Sequence, residues 1–159
     1  RSSRSIKVGK QYKGIPGIDR ASDLDGQIWE SLSADEKTTV SATAATGTVQ
    51  FDILTQGVLY YTTNASGNWT LNIRGDGSTT LNSIMATGET RTITFLATQG
   101  GTAYYQSALT IDGSSVTPKW QNGTTPSSGN TSGIDIYVLT IIKTGSAAFT
   151  VLESQTRFA

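Results

Sequence analysis

The chain has 159 residues, no cysteine and no histidine, and its twelve basic side chains balance twelve acidic ones. That length is enough for one ordinary domain with its own core. The two missing residue types exclude a disulfide framework, a thiolate nucleophile, a cysteine-based zinc site and every Ser-His-Asp, Cys-His or histidine-zinc centre. Charged residues are only 15% of the chain, so the surface reads as neutral and rich in Thr, Ser, Gly and Asn. No stretch approaches the ~18 consecutive apolar residues of a membrane span, and no charged start precedes an apolar core, so neither a membrane segment nor a signal peptide is expected.

The charge is concentrated at one end. Arg1, Arg4, Lys7, Lys10 and Lys13 recur at every third position with no acid among them, and Asp19, Asp23, Asp25, Glu30, Asp35 and Glu36 follow against the single base Arg20. A period of three suits neither the alternation of a strand nor a helix carrying Gly9 and Gly14, but it lines one edge of an extended polyproline-like segment. Residues 1–37 therefore read as an extended N-terminal arm or anchor, the alternative being a solvated tail with accidental spacing. Asp23 to Leu32 has the pattern of a short helix weakened by Gly26. Ile15, Ile18, Ile28 and Trp29 are more apolar content than a tail needs and read as docking anchors. Tyr12 is the one aromatic among the bases, and the neighbouring acids would repel phosphate, so the arm's expected partner is an acidic protein surface rather than nucleic acid. The chain starts on Arg1, before which an initiator methionine is not normally removed, so a truncated, renumbered or matured chain is expected.

From Thr38 the texture changes to short alternating strands separated by turn residues, the pattern of a sandwich or barrel. TTVSATA is a weak first strand, Thr48 to Leu54 follows with Val49, Phe51 and Ile53 on one face, and Gly57 to Thr63 carries VLYYTT. NWTLNIR alternates cleanly at Trp69, Leu71 and Ile73 and ends at the Gly75-Asp76-Gly77 turn. Thr80 to Thr87 places Leu81, Ile84 and Met85 at helical spacing before Gly88, as a short helix with a glycine C-cap would. Strands resume at Thr90 to Thr98 and Thr102 to Ile111. Pro118 limits Val116 to Trp120 to an edge strand, and Gln121 to Gly133 is a polar loop. Ile134 to Lys143, the densest apolar run, is apolar on both alternating faces and predicts a strand covered on both sides. Ala147 to Glu153 completes the set. Together these predict an all-β fold, an antiparallel β-sandwich of jelly-roll type over residues 38–159 with about eight strands and one short helix. No repeat is visible, so no fibre shaft is expected.

Six acids lie in this domain, Asp52, Asp76, Glu89, Asp112, Asp135 and Glu153. None neighbours another in sequence, and Asp76 and Asp112 sit beside glycines where local backbone bonding accounts for them. No catalytic residue, metal site or cofactor is expected. Four N-x-S/T sequons, at Asn64, Asn68, Asn122 and Asn130, are ordinary in so Asn- and Thr-rich a chain. Tyr60, Tyr61, Tyr104, Tyr105, Trp69 and Trp120 are offered to the core or to subunit contacts before sugars.

The segments TVQFDILTQGVLYYTTNASGNWTLNIRG, LNSIMATGET, TITFLATQGGTAYY, VTPKWQNGTTPSSGN and IDIYVLTIIKTGSAAFTVLESQTRFA, spread over Thr48 to Ala159, resemble a β domain of virion structural and tail-fibre-like proteins of marine tailed phages, especially cyanophages. The resemblance implies a non-enzymatic assembly protein at the virion surface. On that reading the chain is a capsid decoration or cement protein, a homotrimer whose arm contacts neighbouring subunits, chiefly the major capsid protein, through Arg1, Arg4, Lys7, Lys10, Lys13, Ile15, Ile18, Ile28 and Trp29. The alternatives are a tail-fibre or spike adhesin that takes a host surface glycan or protein through a receptor loop at Trp120, Asn122 and Asn130, and a neck or tail adaptor. A depolymerase-like enzyme stands behind them.

Overall fold

The computed structural model describes residues 36–159. The chain divides between Asp35 and Glu36, so the arm contacts expected at Arg1 through Trp29 and the helix expected at Asp23 to Leu32 lie outside the described residues.

The described unit is an all-β sandwich of ten strands and one short helix. The strands are β1 (Thr38–Ala44), β2 (Gly47–Asp52), β3 (Val58–Thr63), β4 (Trp69–Arg74), β5 (Thr90–Thr98), β6 (Gln106–Ile111), β7 (Ser114–Val116), β8 (Lys119–Trp120), β9 (Ile134–Gly145) and β10 (Ala148–Phe158), with helix α1 (Leu81–Ile84) between β4 and β5. A six-stranded sheet runs β1-β3-β5-β9-β10-β8 and a four-stranded sheet runs β2-β4-β6-β7.

The strand directions correct the antiparallel, jelly-roll expectation. β1, β3 and β5 are parallel in one sheet, and β2, β4 and β6 are parallel in the other. The chain alternates between sheets, so β1–β2, β3–β4 and β5–β6 form three stacked coils. Only β5–β9, β9–β10 and β6–β7 pair antiparallel, and β8 lies parallel to β10. The local pattern of each strand is what either topology requires, because alternation specifies which face is apolar and not which strand lies alongside.

Register explains the stacking. Val49, Leu71 and Leu109 align across β2, β4 and β6, and Phe51, Ile73 and Ile111 form the next row. Opposite them, Leu59, Phe95 and Tyr137 align across β3, β5 and β9. All nine side chains are buried in one cluster between the sheets, each stabilising the fold by about 1.5–3 kcal/mol for a side chain of this size. Trp69 is fully buried at the centre, edge-to-face with Phe95 at 5.8 Å and with Tyr137 at 5.6 Å.

Strand β9 does sit in mid-sheet, between β5 and β10, but only one face is covered. Tyr137, Leu139 and Ile141 point into the core, whereas Ile134, Ile136, Val138 and Ile142 are half-exposed on the outer face of the six-stranded sheet. The expectation that both faces are buried is thus overturned: the four-stranded sheet covers one side, and among the described residues nothing covers the other.

Candidate functional site

The loop between β8 and β9 frames a cleft of about 300 Å³ lined by Trp120, Asn122, Thr124, Pro126, Gln155 and Arg157, among others. Trp120 ends β8, the edge strand placed there because Pro118 lacks the amide that an interior strand would need. Its half-buried ring packs edge-on against Tyr137, centroids 6.5 Å apart. Asn122 and Gly123 both take positive φ, 58° and 69°, which turns the loop sharply over the cleft. Gln155 and Arg157 come from the end of β10, which runs to Phe158 rather than stopping at Glu153.

The loop is held by a polar hub on the inner face of β9 and β10. Asp135 is fully buried, and its two oxygens accept from the Asn130 amide at 3.1 Å each, while Gln99 Nε2 donates to Oδ2 at 2.9 Å. Burial pushes the Asp135 carboxyl above its ordinary value, and the donors Asn130 and Gln99, with Arg157 nearby, pull it back part of the way. Gln99 in turn clamps Tyr104, donating to its carbonyl at 2.7 Å and accepting from its amide at 3.0 Å. Gln155 Nε2 and Arg157 Nη2 both donate to the Ser128 carbonyl, at 3.1 and 2.7 Å. Gly129 and Gly133 pass where no Cβ fits: one would meet Tyr104, Asp135 and Gln99, the other Phe158 and Asn130.

Of the three loop residues expected to face a receptor, Trp120 and Asn122 line the cleft. Asn130 does not: its Nδ2 donates to the Phe158 carbonyl at 3.0 Å and its amide to Asp135, so it ties the loop to the domain. Gln155 and Arg157 carry no motif; the available signal is that polar residues continue the alternation of β10 onto its inward face.

Several buried polar atoms of the inner faces lie without hydrogen-bond partners among the described residues. The carboxylate of Glu153, the side-chain amide of Gln106 and Trp69 Nε1 are all buried without a hydrogen-bond partner among the described residues. Burial drives the Glu153 carboxyl up to about 8, and the facing Gln106 side chain, which lies near it without reaching hydrogen-bond geometry, offsets this only in part. Such a setting favours the neutral carboxyl because the charged form would be stripped of water without a cation to replace it. Tyr137 completes the group, its hydroxyl accepting from the Gln106 backbone N–H at 3.1 Å and from Gln155 Nε2 at 3.0 Å.

The remaining acids have assigned partners. Asp52 takes Arg74 Nε at 2.6 Å, Asp76 accepts from Ser78 within its own turn, and Glu89 accepts from the Ala86 amide. Asp112 departs from the local expectation, since its carboxylate reaches back to the amides of Leu81 and Asn82 at the start of α1. Among the described residues no group of three metal-ligating side chains assembles. The arrangement offers a stacking ring, amides, hydroxyls and one guanidinium, which is equipment for holding a polar ligand. No protein-family model, curated protein or solved structure matches the chain.

Proposed function

We propose that this chain is a non-enzymatic structural protein of a tailed-phage virion, a capsid decoration or cement protein whose sandwich lies against neighbouring virion subunits. The observation that supports this reading is the outer face of the six-stranded sheet. Its cross-strand rows read Val40-Tyr60-Leu96-Ile136 and Val58-Thr94-Val138-Ser154, and Leu152 and Phe158 extend it, 46% and 52% exposed. Apart from Lys119 on the far edge strand, its strand positions are apolar, Thr or Ser. Strands ~4.8 Å apart with a rise of ~3.4 Å per residue make a six-stranded face of roughly 700 Å², close to the ~800 Å² that each partner contributes to a stable interface. A face of that size on which apolar side chains are interspersed with Thr and Ser rather than with charges is suited to docking.

The test is position in the particle. Imaging of virions carrying a labelled copy is expected to show the domain in hundreds of copies over the shell; a few copies confined to the tail would overturn the decoration role. Ile136→Lys, on the half-exposed face, is expected to abolish binding to purified capsids while leaving the domain folded.

A second reading, a host-recognition adhesin, is favoured by the Trp120 cleft. There a glycan ring could stack on Trp120 with its polar groups on Asn122, Gln155 and Arg157. If Trp120→Ala left adsorption-blocking by the purified protein intact, or if the unaltered protein blocked nothing, this second reading would fail.

A further inference from the structure

On one side the two sheets end in consecutive strands, β1 and β2, and on the other in β8 and β7, after six strands and four. β1 and β2, joined by Ala45 and Thr46, form the first coil, and among the described residues each pairs with a strand on one side only. On the far side the six-stranded sheet ends at β8, two residues long and preceded by Pro118, while the four-stranded sheet ends at the three-residue β7. Short edge strands, proline and an edge lysine such as Lys119 are the usual devices against unwanted strand addition. The first coil has neither a very short strand nor a proline; its irregularities are a register shift between Ser41 and Ala44 and Lys37 just before β1. TTVSATA and GTVQFD run to seven and six residues without proline or lysine. The one charge, Asp52, is engaged by Arg74, and Val40 stands 64% exposed.

We propose that this double edge pairs with the same edge of a second copy, β1 antiparallel to β1 and β2 antiparallel to β2, about a two-fold axis along the sheet normal. Because the two edges belong to one coil joined by only two residues, one rotation brings the open backbone groups of both sheets to the junction at once, as an isologous contact requires. Head-to-tail stacking cannot do this. The far ends are offset, because the sheets differ in strand number, and β7 and β8 are too short to accept a full strand. The antiparallel geometry is slightly more favourable per residue than the parallel pairing within the coils. It also places Asp52, at the end of β2, opposite the Gly47 end of the second copy rather than opposite another Asp52.

Sedimentation velocity on the full 159-residue chain, between about 1 and about 200 µM, the range in which short strand-addition contacts associate, is expected to show a monomer–dimer equilibrium. Amide hydrogen exchange in β1 and β2 should slow as the dimer fills. Val40, Thr48 and Gln50 are exposed, so a V40K/T48K/Q50K variant keeps its core; like charges across the junction are expected to weaken the dimer by about tenfold or more. A monomer throughout, a trimer, a dimer indifferent to the three lysines, or exchange in β1 and β2 independent of concentration would each overturn the proposal. Protection without dimerisation would instead mean that the edge is covered from within the chain.

Discussion

Asp112 and Lys143 hold opposite ends of the four-residue helix α1. The Asp112 carboxylate accepts from the amides of Leu81 at 2.6 Å and Asn82 at 2.9 Å, and Lys143 Nζ donates to the carbonyls of Asn82 at 2.5 Å and Met85 at 2.7 Å. One turn of helix is unstable alone, and these charges sit where its orphan amides and carbonyls need them. The acid follows β6 and the base lies in β9, so the helix bridges the two sheets.

Removing either end should therefore destabilise the domain. Asp112→Ala and Lys143→Met are each expected to cost about 2 kcal/mol, the scale of a hydrogen bond to a charged group, measured as a lower urea midpoint at unchanged slope. Because both act through one helix, the double variant should cost clearly less than the sum of the two. Strict additivity would show that the ends are independent.

Glu153 makes stability depend on pH in a stated direction. Its folded value near 8 lies above the ordinary 4.5, so between those values the folded state holds a proton that the unfolded chain has released. The contribution of Glu153 to stability is then full below about pH 4.5, falls as pH rises through the window, and levels off above about 8, by an amount of order 5 kcal/mol at ~1.4 kcal/mol per unit. Glu153→Gln should flatten that slope. Thermal melts of both proteins from pH 5 to 9 check it, and an unchanged slope in the variant would sink the assignment.

Backbone approach at the loop can be tested with glycines. Gly133→Ala places a methyl group against Phe158 backbone and Asn130, and overpacking of this kind costs about 1–3 kcal/mol. Gly101→Ala meets nothing within 4 Å and should be neutral or slightly stabilising through the unfolded chain. Equal effects on the melting temperature would contradict the close approach.

Arg157→Ala removes the 2.7 Å bond to the Ser128 carbonyl at the cleft rim. Since Arg157 is exposed, global stability should change by less than about 1 kcal/mol. Amide exchange over Ser127 to Asn130 should rise severalfold while that of β9 stays the same. Exchange unchanged in the loop would mean that Asp135 and Gln155 suffice to hold it.

The short helix shows how far local reading reaches. Leu81, Ile84 and Met85 at helical spacing mark its place, and Thr80 caps it, its side chain accepting from the Ser83 amide. The expected glycine cap does not close it: Met85 is the C-terminal cap and Gly88, with φ of 92°, serves the turn before β5. Lys143 supplies what the glycine was expected to supply, from 58 residues away along the chain. The loop was legible as polar from its composition, but the role of Asn130 as a tie rather than a contact depends on Phe158 and Asp135, which sequence distance hides.

By itself the sequence determined where the chain would extend and turn, which face of β2, β4 and β6 is apolar, that a helical turn interrupts the strands, and that neither cysteine nor histidine chemistry operates. Those are properties of period and composition, carried by residues one to four positions apart. The tertiary structure alone decided that the coils run parallel, that among the described residues one face of β9 is left uncovered and Glu153 is sealed without a partner, and that Gln155 and Arg157 meet Trp120. Alternation says which side of a strand is apolar; which strand lies beside it, and what covers its second face, is settled by contacts between residues tens of positions apart.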